Sequence, residues 1–168
     1  MPVVLGKHID ESYYKLDHRF EPQGKPEHPL SLQLIAFRDA CEAKGGMRMG
    51  RDVPSRAVAP FLSHMLIHEP IGDWDDARVR YAGFGIARFF GRDVTGLKQS
   101  EIDVGDVSGT LRELFAAARG IIADNRCCVL SHRAFNGNTE ITHEELVRFP
   151  IIGSEANSRW ILTAAFTF

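Results

Sequence analysis

The stretch YAGFGIARFFGRDVTG, Tyr81 to Gly96, places two glycines at the end of an apolar, strand-like run and just before a helix-like segment. A dinucleotide-binding loop has the form G-x-G-x-x-G directly after a strand, and the following helix holds the pyrophosphate at its N-terminus. Here Arg88 replaces the third glycine, and the helical segment is too short for a crossover between parallel strands. We therefore predict that Gly83 and Gly85 turn the chain sharply from strand to helix and bind no nucleotide.

The composition of the chain is ordinary for a globular domain, with 44% hydrophobic and 25% charged residues in a length of 168. A net charge of −2, without a dense run of Lys or Arg, argues against nucleic-acid binding. No stretch approaches the roughly 18 apolar residues of a membrane span, and the N-terminus is unlike a signal peptide. We expect a cytoplasmic protein. Its three cysteines lack a pairing pattern, which predicts reduced structural thiols, with a redox switch as the alternative.

Two segments precede the main domain. Residues 1–27 lack hydrophobic periodicity and contain three prolines within EPQGKPEHP, which predicts an extended N-terminal arm or linker. Residues 28–46 are predicted to form an amphipathic helix, because apolar residues recur at helical spacing: Leu30, Leu34, Phe37 and Cys41. This helix packs either on the domain that follows or against a second copy of itself, and the second alternative favours a homodimer.

Residues 47–168 are predicted to form one α+β domain. MLIHEPI (65–71) and ARVRYAGFG (77–85) have the texture of a hairpin, and residues 110–124 carry an apolar stripe typical of one longer helix. Period-two patterns then predict three closing strands, within residues 126–135, 141–152 and 160–168. Two opening and three closing strands favour a five-stranded antiparallel sheet whose helices cover one face. Any cavity is expected between the sheet and the helices.

The motifs that would indicate catalysis are incomplete. His143 and Glu144 begin like the zinc-protease motif H-E-x-x-H, but Val147 occupies the position of the second histidine. No G-x-S-x-G nucleophile motif occurs in the sequence. We predict neither a catalytic residue nor a metal ligand. Acid–base pairs are defined by geometry and not by spacing, so an enzyme that uses converging groups such as His132 and Asp93 stays an alternative.

The candidate binding residues lie around the expected cavity. Arg92 has a forked guanidinium suited to a ligand carboxylate or phosphate, whereas its neighbour Asp93 is explained more simply as an acceptor for N–H groups of the turn. His132, on a predicted strand, faces either a ligand or a polar neighbour. Aromatic residues belong to the core first and line a pocket second. The predicted pocket-lining set is Tyr81, Phe84, Phe89, Arg92, Phe115, His132, Phe149 and Leu162.

Four segments resemble a bacterial PAS-like family of mostly uncharacterised single-domain proteins: VPSRAVAPFLSHMLIHEPI, VRYAGFGIARFFGRDVTG, LFAAARGIIADNRCCVLSHRAF and LVRFPIIG…RWILTAAF. The most specific part is FGRDVTG, residues 90–96, which is similar to the family's GRDLTG-like turn. Where the family usually has Gly-Thr, this chain has Phe84-Gly85, so we expect a different local turn.

The resemblance implies sensing or protein interaction and not catalysis. PAS domains bind small molecules between helices and sheet, or pair through the sheet and the N-terminal helix. The flavin-binding subclass carries its cysteine in an N-C-R-F-L-like helical motif, whereas NRCCVL here is ordered differently and lies at a predicted strand. Haem-binding members use a histidine on the long helix, and residues 110–124 contain none. Flavin and haem are therefore disfavoured, and the ligand stays unknown.

These observations predict a stand-alone sensory or regulatory module that binds a small molecule, a partner protein, or both. The chain ends at the last predicted strand, so we expect the output to pass to a signalling partner such as a kinase or cyclase, through a shift between bound and free states. A dimerisation module with a filled core is the main alternative, and a small-molecule enzyme is the other.

Overall fold

The computed structural model describes residues 16–102, 108–155 and 157–168, without the side chains of residues 88, 89 and 108–111. The elements, in chain order, are β1 Asp17–Pro22, α1 Pro29–Glu42, a 3₁₀ helix Arg56–His64, β2 Met65–Ile71, β3 Asp76–Ala82, α2 Phe84–Phe90, a 3₁₀ turn Gln99–Glu101, α3 Ser108–Ala116, α4 Ala118–Ala123, β4 Cys128–Asn136, β5 Thr139–Ile152 and β6 Arg159–Thr167. Within these ranges no helix is both long and apolar enough to cross a membrane.

The strands form one antiparallel sheet in the order β1-β4-β5-β6-β2-β3. The predicted hairpin and the three closing strands are confirmed, and β6 pairs with β2 to join them. The prediction of five strands is wrong, because the described sheet has six. The additional strand, β1, lies in the segment predicted as an arm and pairs with β4 from Asp17↔Phe135 to Pro22↔Leu130. It is an edge strand in which half-buried His18 and Phe20 alternate with exposed charged residues, a pattern with one apolar residue and too short to predict a strand.

Helices cover both faces of the sheet, whereas the sequence predicted that they cover one. One face carries the side chains of Val147, Phe149, Leu162 and Phe166 and packs against α1 and the 3₁₀ helix Arg56–His64. We call it the α1 face. The opposite face, which we call the α3 face, packs against α2, α3 and α4. The reason is that β5 and β6 alternate side chains across the sheet, and both alternating sets are largely buried.

Helix α1 packs on its own sheet. It spans Pro29–Glu42 instead of the predicted 28–46, because the chain beyond it turns through Gly46 with φ near +108°. Its buried Leu34 and Cys41 belong to the core of the α1 face. The apolar stripe of this helix is therefore satisfied within the chain.

The predicted helix 110–124 is two helices. Helix α3 ends at Ala116 and α4 begins at Ala118, with Ala117 between them. The apolar stripe serves two surfaces, because Phe115 faces a cavity while Ile121 packs against Ile161 of β6. Helix α4 ends at Ala123, close to the predicted bound, and Asn125 just beyond it adopts a positive φ of 44°.

Gly83 and Gly85 bring two backbone segments into contact. A Cβ atom at Gly83 would overlap the carbonyl oxygen of Leu62, and one at Gly85 would lie 2.8 Å from the carbonyl oxygen of Ser63. The glycines therefore let the start of α2 approach the end of the 3₁₀ helix. Their role is close approach at a strand-to-helix turn, and neither glycine needs positive φ.

Candidate functional site

A cavity of about 530 Å³ lies between the α3 face of the sheet and helices α2 and α3. This volume falls in the range of roughly 300–1,000 Å³ that small-molecule sites occupy. The sheet contributes Leu66 and His68 from β2, Leu146 and Arg148 from β5, and Thr163 and Ala165 from β6. The helices contribute Ile86, Phe90, Leu114 and Phe115.

The cavity exists because β6 places three small side chains in succession on the α3 face, at positions 163, 165 and 167. Thr163, Ala165 and Thr167 line the cavity, whereas Leu162 and Phe166 fill the core of the α1 face. Period-two alternation makes this separation strict. Helices that cover small residues leave space that the side chains of the sheet do not fill.

Arg148 is the buried cation of this site. Only 4% of the residue is exposed, it lies in the middle of β5, and its cross-strand neighbours are Cys128 and Thr163. Among the described residues it has no hydrogen-bond or ion-pair partner. Burial lowers the pKa of the guanidinium to about 10, so it still carries its charge at neutral pH. A buried charge without a partner is costly, which makes this residue the least satisfied group of the cavity.

His68 lies in the same cavity and is neutral at pH 7. Its pKa is lowered to about 4, mainly by burial and further by the positive charge of Arg148. The ring nitrogen Nε2 lies 3.2 Å from the amide oxygen of Gln99. In the tautomer that is protonated at Nε2, this nitrogen donates a hydrogen bond to that oxygen. The edge of the ring packs against Phe115, with 4.7 Å between the ring centroids. His68 therefore adds a polar edge to the cavity but no second positive charge.

At another part of the cavity, His132 and Glu144 form a hydrogen-bonded pair across β4 and β5. His132 Nδ1 lies 2.9 Å from Glu144 Oε2 and donates to this carboxylate. The other ring nitrogen, Nε2, lies 3.0 Å from Nδ1 of His18, and the ring stacks on Phe20 at 4.4 Å. Because Nε2 faces His18, the ring nitrogen that a general base would use is already in contact with another side chain. The contacts of His132 with His18 and Phe20 connect β1 to the sheet.

The structure brings two of the predicted pocket residues, Phe115 and His132, into the cavity. Phe149 and Leu162 are fully buried in the core of the α1 face, so the prediction that they line the pocket is wrong. Tyr81 packs beside that same core, and its hydroxyl donates to the carbonyl oxygen of Leu62 at 3.1 Å. The alternation of apolar residues predicted the strands correctly, but Phe149 and Leu162 lie on the α1 face and the cavity lies on the α3 face.

The remaining predicted residues lie outside the cavity. Phe84 is 49% exposed at the start of α2, and Arg92 is exposed after that helix. The side chain of Phe89 falls outside the described part of the chain. Asp93 accepts a hydrogen bond from the backbone N–H of Thr95 at 2.9 Å, which confirms that it is a turn residue.

Sequence reasoning missed Arg148, His68 and Glu144. A pattern for Arg148 was present: it stands between Val147 and Phe149 in an apolar strand, where a charge is unusual. His68 and Glu144 have no comparable pattern, because only the sheet register and the position of the helices place them in the cavity.

The described residues support neither a metal site nor a reactive thiol at Cys127. Within residues 16–102, 108–155 and 157–168, no group of three His, Cys, Asp or Glu side chains is arranged to hold a metal ion. Burial raises the pKa of the Cys127 thiol to about 11, which makes it a poor nucleophile. Neither the family models, nor the curated proteins, nor the solved structures with which the chain was compared match it.

Proposed function

We propose that this protein is a sensory or regulatory module that binds a small molecule between its sheet and helices α2 and α3. The observation that carries the proposal is the cavity of about 530 Å³, which contains one buried and unpaired cation of the described chain, Arg148. Small-molecule sites combine apolar walls with a few convergent polar groups. This cavity has apolar walls from both layers, together with His68, Gln99 and Arg148 at one part of it.

A PAS-like fold is part of the proposal, and it is supported by the order of elements along the chain. Strands β2 and β3 come first, short helices follow, α3 and α4 come next, and strands β4 to β6 close the domain. The resemblance of the quoted motifs implies this order. Strand β1 and helix α1 then form an N-terminal extension. In such a module the ligand acts by favouring one of two conformations that a partner protein distinguishes.

The alternative of an interaction module with a filled core has less support. It predicts an exposed apolar patch on α1 or on the sheet. The stripe of α1 is buried on its own sheet, and Leu32 is the large apolar residue of the helix that stays exposed, at 51%. On the sheet side, Ile141 in β5 and Phe168 just after β6 are the large apolar residues that stay exposed. This alternative also predicts that side chains fill the space that the cavity occupies.

The first test is mass spectrometry of freshly purified protein under native and denaturing conditions. We expect a reproducible excess mass in the native spectrum that disappears on denaturation, because a small molecule held in the cavity leaves when the sheet and helices separate. A clean mass of the chain in repeated preparations, above all at twice the chain mass, would instead support the filled-core interaction module.

A further inference from the structure

We propose that the ligand is an organic acid, whose single oxyanion group pairs with Arg148 and whose apolar body fills the cavity along Leu146 and Phe115. This inference rests on the proposed function and adds the chemical class of the ligand. It depends on three observations: the missing counter-ion of Arg148, the charge of the other lining groups, and the apolar remainder of the walls.

The counter-ion of Arg148 does not come from the described residues. The carboxylate on the same face of the same strand is Glu144, four residues away, which corresponds to roughly 13 Å along a strand. Glu144 is already bonded to His132 at 2.9 Å and lies 3.4 Å from the hydroxyl of Thr167. A guanidinium in an apolar site is stabilised most by a charge-assisted pair with a carboxylate-like group. A ligand oxyanion supplies that pair.

The other lining groups limit the ligand to one negative charge and set its orientation. His68 beside Arg148 is neutral at pH 7 and its Nε2–H donates to Gln99, so it offers the ligand no second positive charge. Thr163, the cross-strand neighbour of Arg148, also lines the cavity and has a hydroxyl that donates to an oxyanion. Glu144 repels a second anionic group. The acid group therefore lies at Arg148, and the apolar body extends towards Glu144.

The apolar body is required by the remaining walls. Apart from its polar groups the cavity is lined mainly by aliphatic and aromatic side chains: Leu66, Ile86, Phe90, Leu114, Phe115 and Leu146. A strongly hydrated anion such as inorganic phosphate would leave these surfaces without a partner. An amphipathic acid buries them and pairs the guanidinium at the same time.

The test uses two fluorescent probes that share one apolar body and differ by one charge. They are N-phenyl-1-naphthylamine, which is neutral, and 8-anilino-1-naphthalenesulfonate, which carries a sulfonate. We expect the full chain to bind the sulfonate on the order of 10- to 100-fold more tightly than the neutral probe, which corresponds to one charge-assisted pair. In Arg148→Met the preference should disappear while binding of the neutral probe is unchanged. Arg148→Lys should keep part of it, since lysine retains the charge without the fork.

Stability and site controls accompany these titrations. Arg148→Met should unfold at the same or a higher temperature than the parent chain, because it removes an unpaired buried charge; a marked decrease would indicate a structural role and overturn the proposal. Ala165→Phe, which fills the cavity, should abolish binding of both probes. Phe115→Trp serves as the second filling variant if Ala165→Phe does not fold.

The outcomes separate this inference from the proposed function. If neither probe binds, or if filling the cavity leaves their binding unchanged, the proposed function fails. If filling abolishes binding but Arg148→Met weakens both probes equally, or neither, the cavity still binds small molecules and the inference of an acid ligand is overturned.

Discussion

The carboxylate of Glu145 lies 2.8 Å from the backbone nitrogen of Glu27 and accepts its hydrogen bond, although the two residues are 118 positions apart. The same carboxylate accepts hydrogen bonds from the backbone N–H of His28 at 3.1 Å and from the side-chain amide of Gln23 at 2.7 Å. Burial alone raises the pKa of Glu145, but the nearby Ser31 hydroxyl and these hydrogen bonds outweigh it and hold the pKa below its usual range. A buried side chain of β5 thus positions the segment that leads into α1.

Replacing Glu145 by alanine should therefore destabilise the chain. We expect a loss of roughly 2–3 kcal/mol in the free energy of unfolding, because three N–H donors lose their acceptor. Urea denaturation at pH 7 measures it. Glu140→Ala on the same strand is the control, since Glu140 is exposed and its ion pair with Arg133 at 3.6 Å contributes little. Equal losses in the two variants would mean that Glu145 has no structural role.

His68 should make stability depend on pH in a defined window. Its folded pKa of about 4 lies below the usual 6.5, so the unfolded chain binds the proton more readily than the folded chain. Stability therefore falls as the pH drops from about 6.5 to about 4, and it levels off for this group below that. The full effect is about 3 kcal/mol.

The measurement is the free energy of unfolding of the parent chain and of His68→Gln at several pH values between 4 and 7. Glutamine does not titrate, so the advantage of the parent chain over the variant should shrink steadily through this window. A difference that stays constant with pH would show that His68 is protonated alike in both states.

Gly83 should not tolerate a side chain. In Gly83→Ala the new Cβ meets the carbonyl oxygen of Leu62, which belongs to the backbone and has little room to move. We expect a loss of roughly 3 kcal/mol. Gly24→Ala is the matched control, because Gly24 is exposed and its Cβ would meet nothing within 4 Å. Thermal unfolding of both variants tests this, and similar midpoints would contradict a close approach at Gly83.

The effect of Phe115→Trp should distinguish an open cavity from a core that side chains already fill. Phe115 lines the cavity, so the larger ring has space, and we expect stability to change by less than about 1 kcal/mol. Binding of N-phenyl-1-naphthylamine should fall at least about 10-fold. Phe84→Trp, at an exposed position outside the cavity, should change neither property. A destabilisation of roughly 1–3 kcal/mol by Phe115→Trp would indicate that side chains already fill this space.

Much of the secondary structure could be predicted from local patterns. The alternation of Trp160, Leu162, Ala164 and Phe166 predicts β6, and Pro150 excludes a helix over β5. Strand β1 could not be predicted in this way, because DHRFEP contains too few apolar residues to show an alternation. The break between α3 and α4 at Ala117 was equally hidden, since no glycine or proline stands there.

The residues of the candidate site could be predicted less well than the secondary structure, because the tertiary structure decides which residues form it. By itself the sequence determined which side chains of β5 and β6 share a face, because the period of a strand is two. It did not determine which of the two faces encloses a cavity, because helices cover both and most positions of both are buried. That was decided by packing: large residues such as Phe149 fill the space under α1, whereas α3 rests above Thr163 and Ala165, which are too small to fill it. Arg148 lines a cavity because it lies on the α3 face, where the neighbouring side chains of β6 are small.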